Sequence, residues 1–147
     1  MDSKINLNGN REISVPPVAK LIGFVPVEVK KGEAVFKLAT REEHFNPMGT
    51  VHGGILCDLA DAAMGVAYAT LLNENETFTT IELKINYLKP VWETNLKAHA
   101  VVIKKGNTIG LIDCSIFDGN EALVAKASST CMTLNGETAK NRSVKVQ

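Results

Sequence analysis

The sequence predicts an α+β fold: one long central helix wrapped by a curled antiparallel sheet of five to six strands. Two observations carry this. Residues 53–72 form a small-residue helix that is apolar on nearly every side, so it has to be buried over most of its circumference. After it come β-rich segments separated by turn residues at hairpin spacing. One flat sheet face cannot cover such a helix, so the sheet must curl around it.

Each element has its own signal. Residues 1–15 are polar and are expected to be loosely ordered. Pro16 and Pro17 open a short helix through Val18, Leu21 and Ile22 that stops near Gly23. Val25 to Lys30 reads as a strand that Pro26 confines to a sheet edge or a strand start. Lys31-Gly32-Glu33 turns it back into Ala34 to Thr40. A loop from Arg41 to Val51 leads into the long helix, and Asn73-Glu74-Asn75-Glu76 ends it. Strands follow at Thr79 to Leu88, Asn95 to Lys104, Thr108 to Phe117 and Ala122 to Leu134, read as an antiparallel meander. The implied organisation is an N-terminal arm over 1–17, one domain over 18–134 and a flexible C-terminal tail over 135–147.

Composition excludes several classes of function. The 147 residues carry 16 Lys plus Arg against 16 Asp plus Glu, so no global field steers the chain to nucleic acid or anionic membrane. The start, MDSKINLNGNREIS, lacks the apolar core of a signal peptide. Asp58 and Asp61 interrupt the apolar run and argue against a membrane span. Cys57, Cys114 and Cys131 are odd in number and form no CxxC pair, which points to free thiols in a reducing, cytoplasmic setting. No HExxH or comparable ligand pattern surrounds the histidines, so no metal is expected.

The chemistry concentrates between His44 and Leu72. A polar loop with Asn46, Gly49 and His52 runs into Gly53-Gly54, and a carboxylate, Asp61, sits two turns inside the greasy helix. A carboxylate in such a place is costly unless something satisfies or uses it. Asn46 lies six residues before His52, and Asp61 nine after it. This pattern, His-x-Asn-x-x-Gly-x-x-His-Gly-Gly followed by an acidic helix residue, resembles the hotdog-fold acyl-CoA thioesterases of the phenylacetate-pathway type. The order and length of elements from Val18 to Leu134 match as well.

The resemblance implies hydrolysis of an acyl-CoA to a carboxylic acid and free CoA, with no cofactor beyond the CoA that belongs to the substrate. It assigns the Gly53 N–H to the thioester carbonyl, a role that donors at a helix N-terminus suit physically. Asp61 is then the general base or the nucleophile, and Asp58, one turn earlier, is its rival. Asn46 and His52 are expected to orient the reacting groups, although a turn-forming Asn and a helix-entry His bonded to backbone are the structural alternatives. A hydroxyl residue holding water falls on Thr80 by alignment through Glu82, Asn86 and Tyr87, although β-propensity alone also explains a strand Thr. Gly54, Lys89, Lys104 and Lys105 are candidate substrate contacts, the lysines for the CoA phosphates. Many relatives place a basic residue right after Gly106, where this chain has Asn107. His44 and His99 read as structural. Phe45, Met48, Met64 and Tyr68 are candidates either for the far end of the substrate slot or for core.

Spacing adds a constraint. Gly53 and Asp61 are eight residues apart on one helix, hence roughly 12 Å along its axis. One thioester cannot touch both from a single subunit, which predicts an obligate dimer with two equivalent composite sites. The resemblance implies the same, often with dimers paired into tetramers. Two other readings are open: a hotdog dehydratase or hydratase acting on hydroxyacyl thioesters, and a non-catalytic acyl-CoA-binding module. The first needs a His and a carboxylate around the α and β carbons; the second has no need of Asp61.

Overall fold

The computed structural model describes residues 4–7 and 11–142. The elements in chain order are β1 (Lys4–Asn6), β2 (Glu12–Ser14), α1 (Pro17–Ile22), β3 (Val25–Lys30), β4 (Glu33–Ala39), α2 (Gly53–Ala69), β5 (Glu76–Tyr87), β6 (Asn95–Lys105), β7 (Ile109–Phe117) and β8 (Leu123–Asn135). Short 3-10 turns lie at Glu42–His44 and Gly136–Ala139.

Six strands form one sheet in the order β3-β4-β6-β7-β8-β5. The pairs β3–β4, β4–β6, β6–β7, β7–β8 and β5–β8 are all antiparallel. This corrects the expected meander. β6, β7 and β8 do follow one another, but β5 pairs with β8 and closes the far edge. The connection over residues 88–94 does this by crossing the end of the sheet. It is tied down by Leu88 N–H to Val124 O at 2.9 Å and by Val51 N–H to Val91 O at 2.7 Å. β6 thereby reaches β4, with Phe36 opposite Ala98. A turn signal at Pro90 reads the same whether the chain folds back or crosses over.

The helix α2 lies in the curl of this sheet, against β4, β6 and β7. Leu56, Leu59, Ala60, Ala63, Met64, Ala67 and Tyr68 are buried along it. Leu96, Ala98, Ala100, Ile112, Cys114 and Ile116 meet them from the sheet, all fully buried. Each large apolar side chain so buried is worth about 1.5–3 kcal/mol. The small ones let backbone approach backbone. Gly110 is the tightest case, since a Cβ there would collide with the buried Tyr68 ring. Tyr68 also stacks edge-on to Phe78 (centroids 5.5 Å apart) and shares a 2.8 Å hydrogen bond with Thr133. Of the candidates for slot or core, Tyr68 and Met64 are therefore core, and Met48 is exposed.

The amino-terminal stretch also departs from expectation. β1 and β2 pair as a small hairpin with Ile5 opposite Ile13, and Ile5 and Leu7 join the core. Polar residues (Lys4, Asn6, Glu12, Ser14) conceal a short alternation in which every second side chain is aliphatic. At the other end, the guanidinium of Arg142 donates to Phe78 O at 3.2 Å. All three cysteines are free, and burial pushes the Cys114 thiol up to about 12. Among the described residues no helix is long and apolar enough to cross a membrane, and no His, Cys, Asp and Glu cluster could hold a metal ion.

Candidate active site

The loop before α2 is built by its own side chains. The Asn46 Oδ1 accepts from Met48 N–H at 3.0 Å and Thr50 N–H at 3.2 Å, while its Nδ2 donates to Thr50 Oγ1 at 2.9 Å. Gly49 takes a left-handed φ of 79°, which lets the turn close. The Asn46 amide is thus engaged inside its loop, as in the turn-forming alternative. His44 is buried and structural: its Nδ1 accepts from Arg41 N–H, and its Nε2 bonds Ile22 O at 2.8 Å. His99 pairs on the surface with Glu33 at 3.2 Å.

His52 caps α2, its Nδ1 accepting from Gly54 N–H at 2.9 Å. This is the helix-entry bond to backbone. It leaves the Gly53 N–H as a helix-start donor with no acceptor among the described residues. The positive end of the helix dipole reinforces such a donor. The Tyr87 ring lies over Gly53, and its hydroxyl donates to Gly53 O at 2.9 Å. A Cβ at Gly53 would stand only 2.8 Å from that ring. In the sequence Tyr87 marks only the alternation and alignment of its strand, and that position gives no hint of a contact across to the helix start.

Gly53, Asn46, Thr50, Leu56, Tyr87 and Lys89 line a cleft of about 400 Å³. Lys89 is held there by Asp118 at 2.7 Å. That lysine and two backbone N–H groups, of Asn120 and Ala122, keep the Asp118 carboxyl below its ordinary value, the lysine contributing most. Lys105 is engaged by Glu76 at 3.8 Å, and Lys104 is exposed. The cleft therefore gathers Lys89 but neither Lys104 nor Lys105.

Asp61 lines a second cavity, of about 270 Å³, with Thr80 beside it and apolar side chains making up most of its walls. Thr80 Oγ1 donates to Asp61 Oδ1 over a long 3.5 Å. A bulge between Thr80 and Glu82 in β5 breaks the β8 register at this point and re-aims the strand. Desolvation by its apolar surroundings lifts the Asp61 pKa above the ordinary aspartate value; the Thr80 hydroxyl opposes this and the Asp58 charge adds to it. Its carboxyl is nonetheless open on the outward face of α2, as is that of Asp58. A carboxylate with a raised pKa and a hydroxyl partner can take a proton from water or attack a carbonyl directly. Gly53 and Asp61 thus occupy one helix but two different cavities.

Comparison with known proteins shows the family. The sequence model of the thioesterase superfamily matches residues 48–125, more than half of the chain. The protein belongs to the thioesterase superfamily and is a thioester hydrolase with the hotdog fold. A candidate esterase of Saccharolobus solfataricus is 31% identical over 110 residues, spanning 75% of this chain and 78% of that protein. The 1,4-dihydroxy-2-naphthoyl-CoA hydrolase of Listeria monocytogenes is 29% identical over 74% of this chain and 89% of its own length. Among solved structures, a thioesterase family protein of Silicibacter pomeroyi superposes with a TM-score of 0.79 at 26% identity, covering 82% of this chain and 91% of that one. The E. coli PaaI protein shares the fold, with a TM-score of 0.77, 24% identity and coverage of 82% and 86%.

Proposed function

We propose that the protein hydrolyses acyl-CoA thioesters at a composite site, with Gly53 of one subunit facing Asp61 of the other. The observation that carries this is the separation on α2. A free N–H at the helix start and a carboxyl with a raised pKa two turns later open onto different cavities. With about 1.5 Å of rise per residue, a rigid helix cannot bring the two together. A two-fold partner can, and it completes both sites at once.

Two surfaces support such a partner. β5 is an edge strand twelve residues long with Ile81 and Tyr87 exposed, and an open apolar edge invites pairing. The outward face of α2 beside it leaves Ile55, Cys57, Ala62 and Gly65 only half covered. In the reaction the Gly53 N–H stabilises the oxyanion as the carbonyl becomes tetrahedral. Asp61 activates water or attacks, and Thr80 orients the Asp61 carboxylate. Asn46 and His52 act as positioning residues that hold the loop and the helix start. Lys89 meets the CoA phosphates from the cleft, and Gly54 leaves room for the pantetheine arm.

The likeness to a naphthoyl-CoA hydrolase favours CoA as the carrier. The test is thiol release from a panel of acyl-CoAs, followed by subunit complementation. Gly53→Ala and Asp61→Ala chains are each expected to be nearly inactive. Refolded together, half the dimers are mixed and each holds one intact site, so about a quarter of wild-type activity returns. No recovery means that the two residues serve within one chain. Hydration products with no free thiol would favour the hydratase reading instead.

A further inference from the structure

The cavity that Asp61 and Thr80 open onto is lined in part by the amino-terminal hairpin. Ile5, Leu7, Ile13 and Val15 line it together with Phe78 of β5 and Val66 of α2. The hairpin is held in place by Arg11. Its guanidinium donates to Leu72 O, Asn73 O and Glu76 O at 3.4, 3.2 and 3.2 Å, the carbonyls that follow the end of α2. This segment lies outside the part of the chain that matches the family model. Arg11 and Asp61 are the charged residues among the cavity's lining, and the Arg11 bonds point to carbonyls at its rim. The Asp61 carboxyl stands beside Thr80, eleven residues before Leu72, the first of the carbonyls that Arg11 holds. The walls between are aliphatic and aromatic, so the cavity favours apolar carbon over water.

We propose that this hairpin is the acyl-selecting wall of the enzyme, latched by Arg11, and that it fits a compact, medium-length apolar acyl group. The inference rests on the acyl-CoA reading above and extends it to the substrate class. Scale sets the length. An apolar cavity of 150 Å³ accommodates benzene, so one of 270 Å³ holds on the order of eight to ten carbons. The acyl chain enters on the Asp61 side because that cavity is apolar. The pantetheine arm leaves through the Gly53 cleft, where Lys89 lies. Each methylene buried is worth about 0.8 kcal/mol, so kcat/KM rises about fourfold per added methylene until the wall is reached.

The experiment measures kcat/KM for straight-chain acyl-CoAs from acetyl to palmitoyl, with the wild type and Ile13→Trp, Ile13→Ala and Arg11→Ala variants whose fold is checked by circular dichroism. Octanoate binding by calorimetry is a parallel readout. The wild-type profile is expected to peak near octanoyl or decanoyl. Ile13→Trp shortens the pocket and lowers the octanoyl-to-acetyl ratio at least tenfold. Ile13→Ala and Arg11→Ala move the peak to longer chains. Robust turnover with a chain-length profile unmoved in all three variants overturns the proposal and leaves the thioesterase reading intact. Octanoate binding that Ile13→Trp abolishes, in a protein that releases no thiol from any acyl-CoA, supports the pocket and overturns the acyl-CoA reading alone. Absence of both turnover and octanoate binding overturns the pocket as well.

Discussion

Gly53→Ala is the substitution on which packing and chemistry give opposite forecasts. A Cβ at this position would lie 2.8 Å from Tyr87 Cζ, 2.9 Å from its hydroxyl and 3.2 Å from Cε1. All three belong to the far end of a flexible side chain that is 53% exposed in the single chain, so the ring can give way by the few tenths of an ångström needed. The loss is then one exposed hydrogen bond, from Tyr87 OH to Gly53 O, worth about 0.5–1 kcal/mol. Replacing Gly by Ala in a helix returns roughly 0.5–1 kcal/mol. The two cancel to within about 1 kcal/mol, so Tm should move by no more than about 4 °C. Activity should fall far more. A methyl group over the free N–H keeps the thioester carbonyl away from it, and loss of one oxyanion donor costs about 10²–10³ in rate. Thermal melting and thiol release on one preparation decide the matter. Tyr87→Phe serves as the comparison, since it loses the same hydrogen bond with Gly53 still bare. A Gly53→Ala enzyme within about threefold of wild-type kcat/KM, or a Tyr87→Phe enzyme equally impaired, would refute the reasoning.

Two further predictions concern the helix. Asp61→Asn should lower kcat by about 10²–10⁴ while substrate affinity changes little, read by steady-state kinetics and calorimetry. The same variant should be more stable than wild type at neutral pH. Burial raises the folded-state pKa of Asp61, so the folded chain binds its proton more tightly than the unfolded one. Stability from this group therefore declines as pH rises from about the ordinary value of 3.8 through the raised one, and Asn escapes that loss. Denaturant melts across that window should show the two proteins converging at the acid end; a constant gap would contradict the sign. Gly110→Ala should destabilise the protein by about 1–3 kcal/mol or block its folding, because the Tyr68 ring it meets is fully buried and pinned by Thr133. An unchanged Tm would show that the ring has room to move.

Much of this arrangement was legible in the sequence because it follows local rules. The apolar circumference of α2 demanded a curled sheet, and Pro26 confined β3 to a sheet edge or a strand start, with the edge being where it lies. The His52, Gly53 and Asp61 pattern marked the helix start and a carboxylate two turns inside it. What escaped depends on contacts between distant segments. Whether β5 pairs with β6 or with β8 is decided by the bonded crossover at Leu88 and Val91, which no turn residue encodes. The core role of Ile5 was masked by the polar neighbours Lys4 and Asn6, which face outward. Tyr87 over Gly53 joins residues 34 positions apart, and strand periodicity is silent about it. The engagement of Asn46 within its own loop, by contrast, follows the turn chemistry that a loop Asn ordinarily performs.

Because the glycine and the aspartate share one continuous rod, α2 works as a ruler. Adding a single residue between them would advance the carboxyl by about 1.5 Å and swing it by about 100° around the axis, out of its cavity. The spacing of eight is thus a length standard: chains that keep both residues but change the count between them should fold and yet be inert.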